Sequence, residues 1–235
     1  MMKSLPPLFL LQNSALNTNS VDIDGEVPSL MKKAFSAFEL QGKRICLCVG
    51  SRYIKQQAKI LSHTIHAIQA FGGVPFIIPT MGSHGGANAK GQRDILASYG
   101  ITEEALGVPI LSELEPASIP VQNTVLLAHG LSSIFVDRYA LRADGIVLIN
   151  RIKPHTSFSG PIQSGLCKMC CIGLGKAKGA FAYHRLFDSI GFSKAIPPLL
   201  EEIIANIPIL AGIALIENGE GNITHISVLK PNQFI

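Results

Sequence analysis

Three short runs set the frame for this chain: Lys43–Val49 (KRICLCV), Val74–Pro79 (VPFIIP) and Asp144–Ile149 (DGIVLI). Each is almost continuously apolar and each stops at a polar or glycine-rich loop. A strand that is apolar on both faces must be covered on both faces, which is the condition of a parallel sheet between helices. Helical spacing lies between the runs. Gln56–Phe71 ends at Gly72-Gly73, and Ala89–Tyr99 is closed by Gly100, both fitting C-terminal stops. Thr102, before two glutamates, reads as the N-cap of a further short helix. Thr124–Ala128 and Ser133–Val136 read as short strands, Ser193–Ile207 as a helix, and Ile209–Glu217 and Ile223–Leu229 as late strands. The expected fold is α/β, a largely parallel sheet with helices on both faces.

In such folds ligands bind beyond the carboxyl ends of the strands. The loops that follow the three apolar runs carry Ser51-Arg52, His84 in Gly82-Ser-His-Gly-Gly86, and His155 in Asn150-Arg-Ile-Lys-Pro-His155. Parallel neighbours would bring all three loops to one edge of the sheet.

Composition narrows the classes of function. The chain has 235 residues, 47% of them hydrophobic and 15% charged, which suits a compact core and excludes disorder. The net charge of +4 comes from scattered basic residues without interleaved aromatics, so a nucleic-acid partner is not expected. No window is long and apolar enough for a membrane span, and no membrane partner is expected. Leu5-Pro-Pro-Leu-Phe-Leu-Leu11 is proline-broken with no cleavage pattern after it, and reads as an edge strand or packing arm rather than a signal peptide. The five cysteines are odd in number; Cys46 and Cys48 share one face of a strand. This favours reduced thiols and a cytoplasmic location. Cys167 and Cys170 form a single C-x-x-C with no second cluster, which makes a zinc site or redox pair weak.

Individual residues carry chemistry of different weight. Glycines on both sides of His84 allow close approach of the backbone to a ligand. Pro154 fixes the approach to His155, and a neutral imidazole there can accept and return a hydroxyl proton near pH 7. Lys168 sits in the small, apolar stretch Ser164-Gly-Leu-Cys-Lys-Met-Cys-Cys-Ile172. Desolvation there would lower the amine pKa and make it a nucleophile; an amine snorkelling to water is the equal alternative. Lys176 and Lys178, in Gly173-Leu-Gly-Lys-Ala-Lys-Gly179, are competing phosphate or carboxylate binders, although the run is not a Walker motif. Arg52 suits a bidentate clamp on a carboxylate or phosphate. His184 falls in a helix-like stretch and, taken alone, reads as a half-buried helix histidine.

Together, Gly50-Ser-Arg52, Met81-Gly-Ser-His-Gly-Gly86, Asn150–His155, Ser164-Gly-x-x-Lys168 and His184 resemble the lactate racemase family. That family binds a nickel pincer nucleotide and interconverts the stereoisomers of 2-hydroxy acids. The resemblance runs from about Arg44 to Glu217 and implies the N-terminal, cofactor-holding domain over 1–235, with a C-terminal domain apparently absent from the sequence. By motif it implies His84 and His155 as the two acid/base histidines and Lys168 as the lysine joined covalently to the cofactor. Arg52 matches an arginine that holds the substrate carboxylate or sits beside the cofactor; Ser164 and Gly165 fall at cofactor-binding positions, and His184 at the nickel ligand. Ser51-Arg52 replaces an aspartate-rich motif, and the loop between His155 and Lys168 is longer, which puts the particular hydroxy acid in question. A small-molecule 2-hydroxy acid substrate is expected, and a homo-oligomer stays open. Two other readings stand beside this one: a Schiff-base enzyme using Lys168, and a non-catalytic nucleotide-binding domain.

Overall fold

The computed structural model describes residues 20–156 and 160–234. The Leu5–Leu11 stretch lies outside the described residues. Chain order gives helix α1 (Ile23–Phe35), strand β1 (Arg44–Val49), α2 (Gln57–Ala70), β2 (Val74–Pro79), α3 (Ala89–Ser98) and the short α4 (Glu103–Leu106). There follow β3 (Ala117–Pro120), α5 (Thr124–Ala128), β4 (Ser133–Val136), α6 (Arg138–Leu141) and β5 (Gly145–Arg151). The chain then forms α7 (Gly165–Lys168), running into a π-helical turn over Met169–Gly173, and α8 (Lys176–Ile190), α9 (Phe192–Asn206), β6 (Ile209–Glu217) and β7 (Ile223–Leu229).

The main sheet has the order β2-β1-β5-β6-β7. Its first four strands are parallel, and β7 returns antiparallel to β6. The apolar runs explain this arrangement. In register, Cys46 lies between Phe76 and Ile146, and Leu47 between Ile77 and Val147. Successive residues face opposite sides of the pleat. Cys46, Cys48, Phe76, Ile78, Ile146 and Leu148 therefore enter one core, with Tyr183 and Leu186 of α8 and Leu199 and Ile203 of α9. Ile45, Leu47, Val49, Val147 and Ile149 enter the other, with Val27, Met31 and Phe35 of α1 and Ile60, Leu61 and Ile68 of α2. The expected α/β architecture, covered on both faces, is present.

One element differs from expectation. Thr124–Ala128 is a short helix, not a strand. Asn123 accepts hydrogen bonds from Val125 N and Leu126 N, and that cap satisfies the first-turn donors a strand would have left to a neighbour. Ser133–Val136 is a strand, but it pairs antiparallel with β3 in a separate two-stranded sheet. The described cysteines are all buried and free. Among the described residues, no helix is long and apolar enough to cross a membrane.

Candidate functional site

The loops beyond the carboxyl ends of β1, β2 and β5 meet α7 around an open cleft of about 340 Å³. Its lining includes Arg52, His84, His155, Ser164, Gly165 and Lys168. A groove of about 940 Å³ lies elsewhere, between α9 and the turn at Pro231–Gln233, near the amino end of β6. Leu200, Ile204 and Leu210 line it with Glu201 and Lys230, and among the described residues it brings together no imidazole or thiol, whereas the smaller cleft gathers two imidazoles and an amine.

Each group in the cleft is held by identifiable contacts. The β1 loop supplies Ser51, whose Oγ lies 2.5 Å from His84 Nδ1. Tyr99, the C-cap residue of α3, donates its hydroxyl to Ser51 O at 2.8 Å. The His84 loop is pinned from beneath by Gln92 of α3, whose Nε2 donates to Gly82 O and His84 O. Gly85, in the left-handed region at φ +69°, approaches α3 so closely that a Cβ would stand 2.8 Å from Gln92 N; glycine is required there.

On the other side, Asn150 Nδ2 donates to Gly165 O at 3.0 Å, tying β5 to the start of α7. Ser164 Oγ accepts from Lys153 N and donates to Lys153 O, so this hydroxyl positions the Lys153 loop. His155 N donates to Gln163 Oε1 at 2.8 Å. Arg151 is ion-paired with Glu217 of β6.

Among the described residues no aspartate or glutamate lines the cleft, whereas Arg52, Lys153 and Lys168 do; Arg151 also lines it, but its charge is met by Glu217. This positive lining works on the titratable groups. Lys168 is held below the ordinary amine range, first by desolvation and then by Arg52 and Lys153. His84 is lowered by desolvation, with Arg52 and Lys168 adding to it. His155 is lowered by desolvation and by Lys168, Lys153 and Arg52. Both imidazoles are therefore shifted toward the neutral form relative to a free histidine, and the amine toward its uncharged form relative to a free lysine.

His184 stands apart. It is exposed on α8 and is not among the residues lining the cleft. Its ring packs edge-on against Phe187 with centroids 5.5 Å apart, and Phe187 packs against Phe192 at 5.0 Å. Lys168 Nζ in turn lies 5.9 Å from the Phe192 ring centroid. Among the described residues no group of three or more His, Cys, Asp or Glu side chains is arranged to hold a metal ion.

Lys176 and Lys178 are not anion binders here. Lys176 is fully buried, 2.7 Å from Asp137 Oδ2, and donates to Pro79 O at 2.6 Å. Lys178 pairs on the surface with Glu115 at 3.1 Å. Sequence reasoning missed the supporting residues Tyr99, Gln92, Gln163 and Asp137. Their partners lie up to 48 residues away and leave no local signal.

The residues present fit part of the cofactor suggested by the sequence resemblance. A desolvated amine and a cationic, carboxylate-free wall suit a phosphate- and carboxylate-bearing group attached at Lys168. Nickel ligation by His184 does not fit this arrangement, because its ring rests on Phe187 outside the cleft.

No family model and no curated protein matches the chain. Among solved structures, the chain is similar to the lactate racemase apoprotein from Thermoanaerobacterium thermosaccharolyticum, with a TM-score of 0.65 and 13% sequence identity. The match covers 88% of this chain and 52% of that protein, so the chain spans about half the length of the structure it matches. The fold of this protein is lactate-racemase-like.

Proposed function

We propose that this chain carries the acid/base and cofactor-holding groups of an isomerase that racemises or epimerises a 2-hydroxy acid. The supporting observation is the meeting of two imidazoles and an amine, from two loops and one helix, in one cation-lined cleft that lowers the pKa of all three.

Arg52 and Lys153 attract the substrate carboxylate, which a carboxylate-free wall does not repel. His84 and His155 come from the loops after β2 and β5. Either imidazole can take the hydroxyl proton as the C2 hydrogen leaves, and return it when the flat 2-oxo acid is reduced again. Two bases are needed because the stereoisomers present their hydroxyls on opposite sides. Lys168 offers the amine for covalent attachment of a nickel pincer nucleotide, a group that, when bound, supplies a reversible hydride acceptor. Ser164 and Gly165 keep the Lys153 loop and α7 in place.

The test is coexpression with the cofactor-making enzymes, followed by intact-mass and nickel analysis and chiral chromatography of 2-hydroxy acids. A mass increment on Lys168, with racemisation lost in His84→Ala and in His155→Ala, is expected. Full activity in either variant would remove the mechanism. The depressed Lys168 amine also favours a second reading, a Schiff-base enzyme; borohydride trapping of a carbonyl substrate on Lys168 in nickel-free protein would select it.

A further inference from the structure

The departure at Ser51 has a chemical consequence. Among the described residues His84 has no carboxylate partner; its Nδ1 meets a neutral hydroxyl at 2.5 Å. A hydroxyl can donate or accept, so this contact alone permits either neutral tautomer. The surroundings choose between them. With Nδ1 occupied by Ser51, Nε2 is the nitrogen left to the cleft, whose walls, among the described residues, carry the cations Arg52, Lys153 and Lys168 and no carboxylate. A lone pair facing those cations is favourable, and an N–H dipole facing them is not.

We infer that Ser51 is a positioning residue that accepts the Nδ1 proton of His84 and so leaves the Nε2 lone pair facing the cleft. Helix α3 acts as the jig for the pair. Its Gln92 holds the backbone of the histidine loop through Gly82 O and His84 O, and Tyr99 at its C-cap holds the backbone of Ser51. Tyr99 is itself braced edge-on by Tyr53, with centroids 5.4 Å apart. One rigid element thus fixes both partners of a short hydrogen bond between loops 33 residues apart in sequence. A neutral histidine free in water favours the other tautomer, with its proton on Nε2, so the assignment has a distinct signature. That this nitrogen then acts as a base rests on the proposed function; the tautomer itself does not.

Long-range proton–nitrogen NMR on histidine-labelled full-length protein, without cofactor and at mildly alkaline pH, decides the matter. The His84 signals are identified by their loss in His84→Ala. Wild type is expected to carry the proton on Nδ1. Ser51→Ala should move it largely to Nε2, and Ser51→Thr should restore it to Nδ1. Tyr99→Phe should give a mixture. A wild-type spectrum with the proton on Nε2 overturns the inference even if a variant fails to fold, and so does an unchanged tautomer in folded Ser51→Ala. Should racemisation survive His84→Ala while the tautomer is as stated, the proposed function fails and the Ser51 assignment stands. Where racemisation is measurable, Ser51→Ala should lower kcat about tenfold with KM little changed, because fewer molecules present the basic tautomer while the groups that bind substrate are untouched.

Discussion

Lys168 and His184 do not face one another across the cleft; they are joined through the stacked edges of Phe192 and Phe187. The amine is in the cleft and the imidazole lies on the outer face of α8. His184→Ala should therefore leave anion binding and Lys168 reactivity in the unloaded protein within twofold of wild type. In protein loaded with cofactor, the same variant is expected to keep both the Lys168 mass increment and the wild-type nickel content, because the ring rests on Phe187 outside the cleft. Less nickel in the variant would overturn this and put His184 in the metal site.

The amine itself can be tested without any cofactor. Lys168 is lowered by desolvation and by Arg52 and Lys153, and each unit of lowering raises the uncharged fraction about tenfold at neutral pH. An amine-selective acylating reagent at neutral pH should label Lys168 ahead of Lys90, which is ion-paired with Asp94 on the surface. Peptide mass mapping reads the order. Arg52→Gln should slow the labelling, since it removes the largest charge contribution opposing protonation. A dicarboxylate or phosphate that fills the cleft should protect Lys168 and leave Lys90 unaffected.

The two cleft imidazoles also tie stability to pH. Their folded-state values lie below the ordinary imidazole value, so the unfolded chain binds more protons as pH falls through that value. Stability is therefore full above the ordinary imidazole range and declines as the solution is acidified through it. Urea unfolding midpoints measured from neutral to mildly acidic pH should fall, and His84→Gln combined with His155→Gln should flatten the decline. An anion bound in the cleft should raise both imidazole values and flatten it as well. A midpoint that rises on acidification would contradict the cation-lined cleft.

The fold was legible because several apolar runs alternate with helical spacing, and Ile45–Val49 fills two cores by simple alternation. The convergence of Arg52, His84 and His155 followed from topology alone. Thr124–Ala128 was not legible, because a short apolar run has no resolvable period and only the Asn123 cap decides it. Helix α1 did leave a signal, Ile23, Val27, Met31 and Phe35 at four-residue spacing, although Pro28 interrupts it. Lys176 was opaque in principle. A lysine among glycines looks the same on paper whether it grips an anion or pairs with Asp137 in the interior.

That buried pair lies outside the cleft but ties together two segments that line it, those of Thr80 and Gly173. Lys176 adopts a left-handed backbone at φ +55°, a conformation costing a non-glycine residue about 1 kcal/mol or more. Its ammonium bridges Asp137, which caps α6 by accepting from Tyr139 N and Ala140 N, and Pro79 O at the end of β2. The loop from α7 to α8 is thereby pressed onto the chain that leads to His84. Gly173 shows how tightly: a Cβ there would stand 2.7 Å from Thr80 Cγ2 and 2.8 Å from Thr80 O. Removing one partner leaves a buried charge uncompensated, so Asp137→Ala should cost about 3–5 kcal/mol in urea unfolding. Gly173→Ala should cost about 1–3 kcal/mol, since backbone rather than a flexible side chain has to move. Asp137→Ala with Lys176→Met, which removes both charges together, should recover much of the loss. If the double variant is as unstable as Asp137→Ala alone, the unpaired ammonium is not the source of the penalty, and the lost α6 cap accounts for it instead.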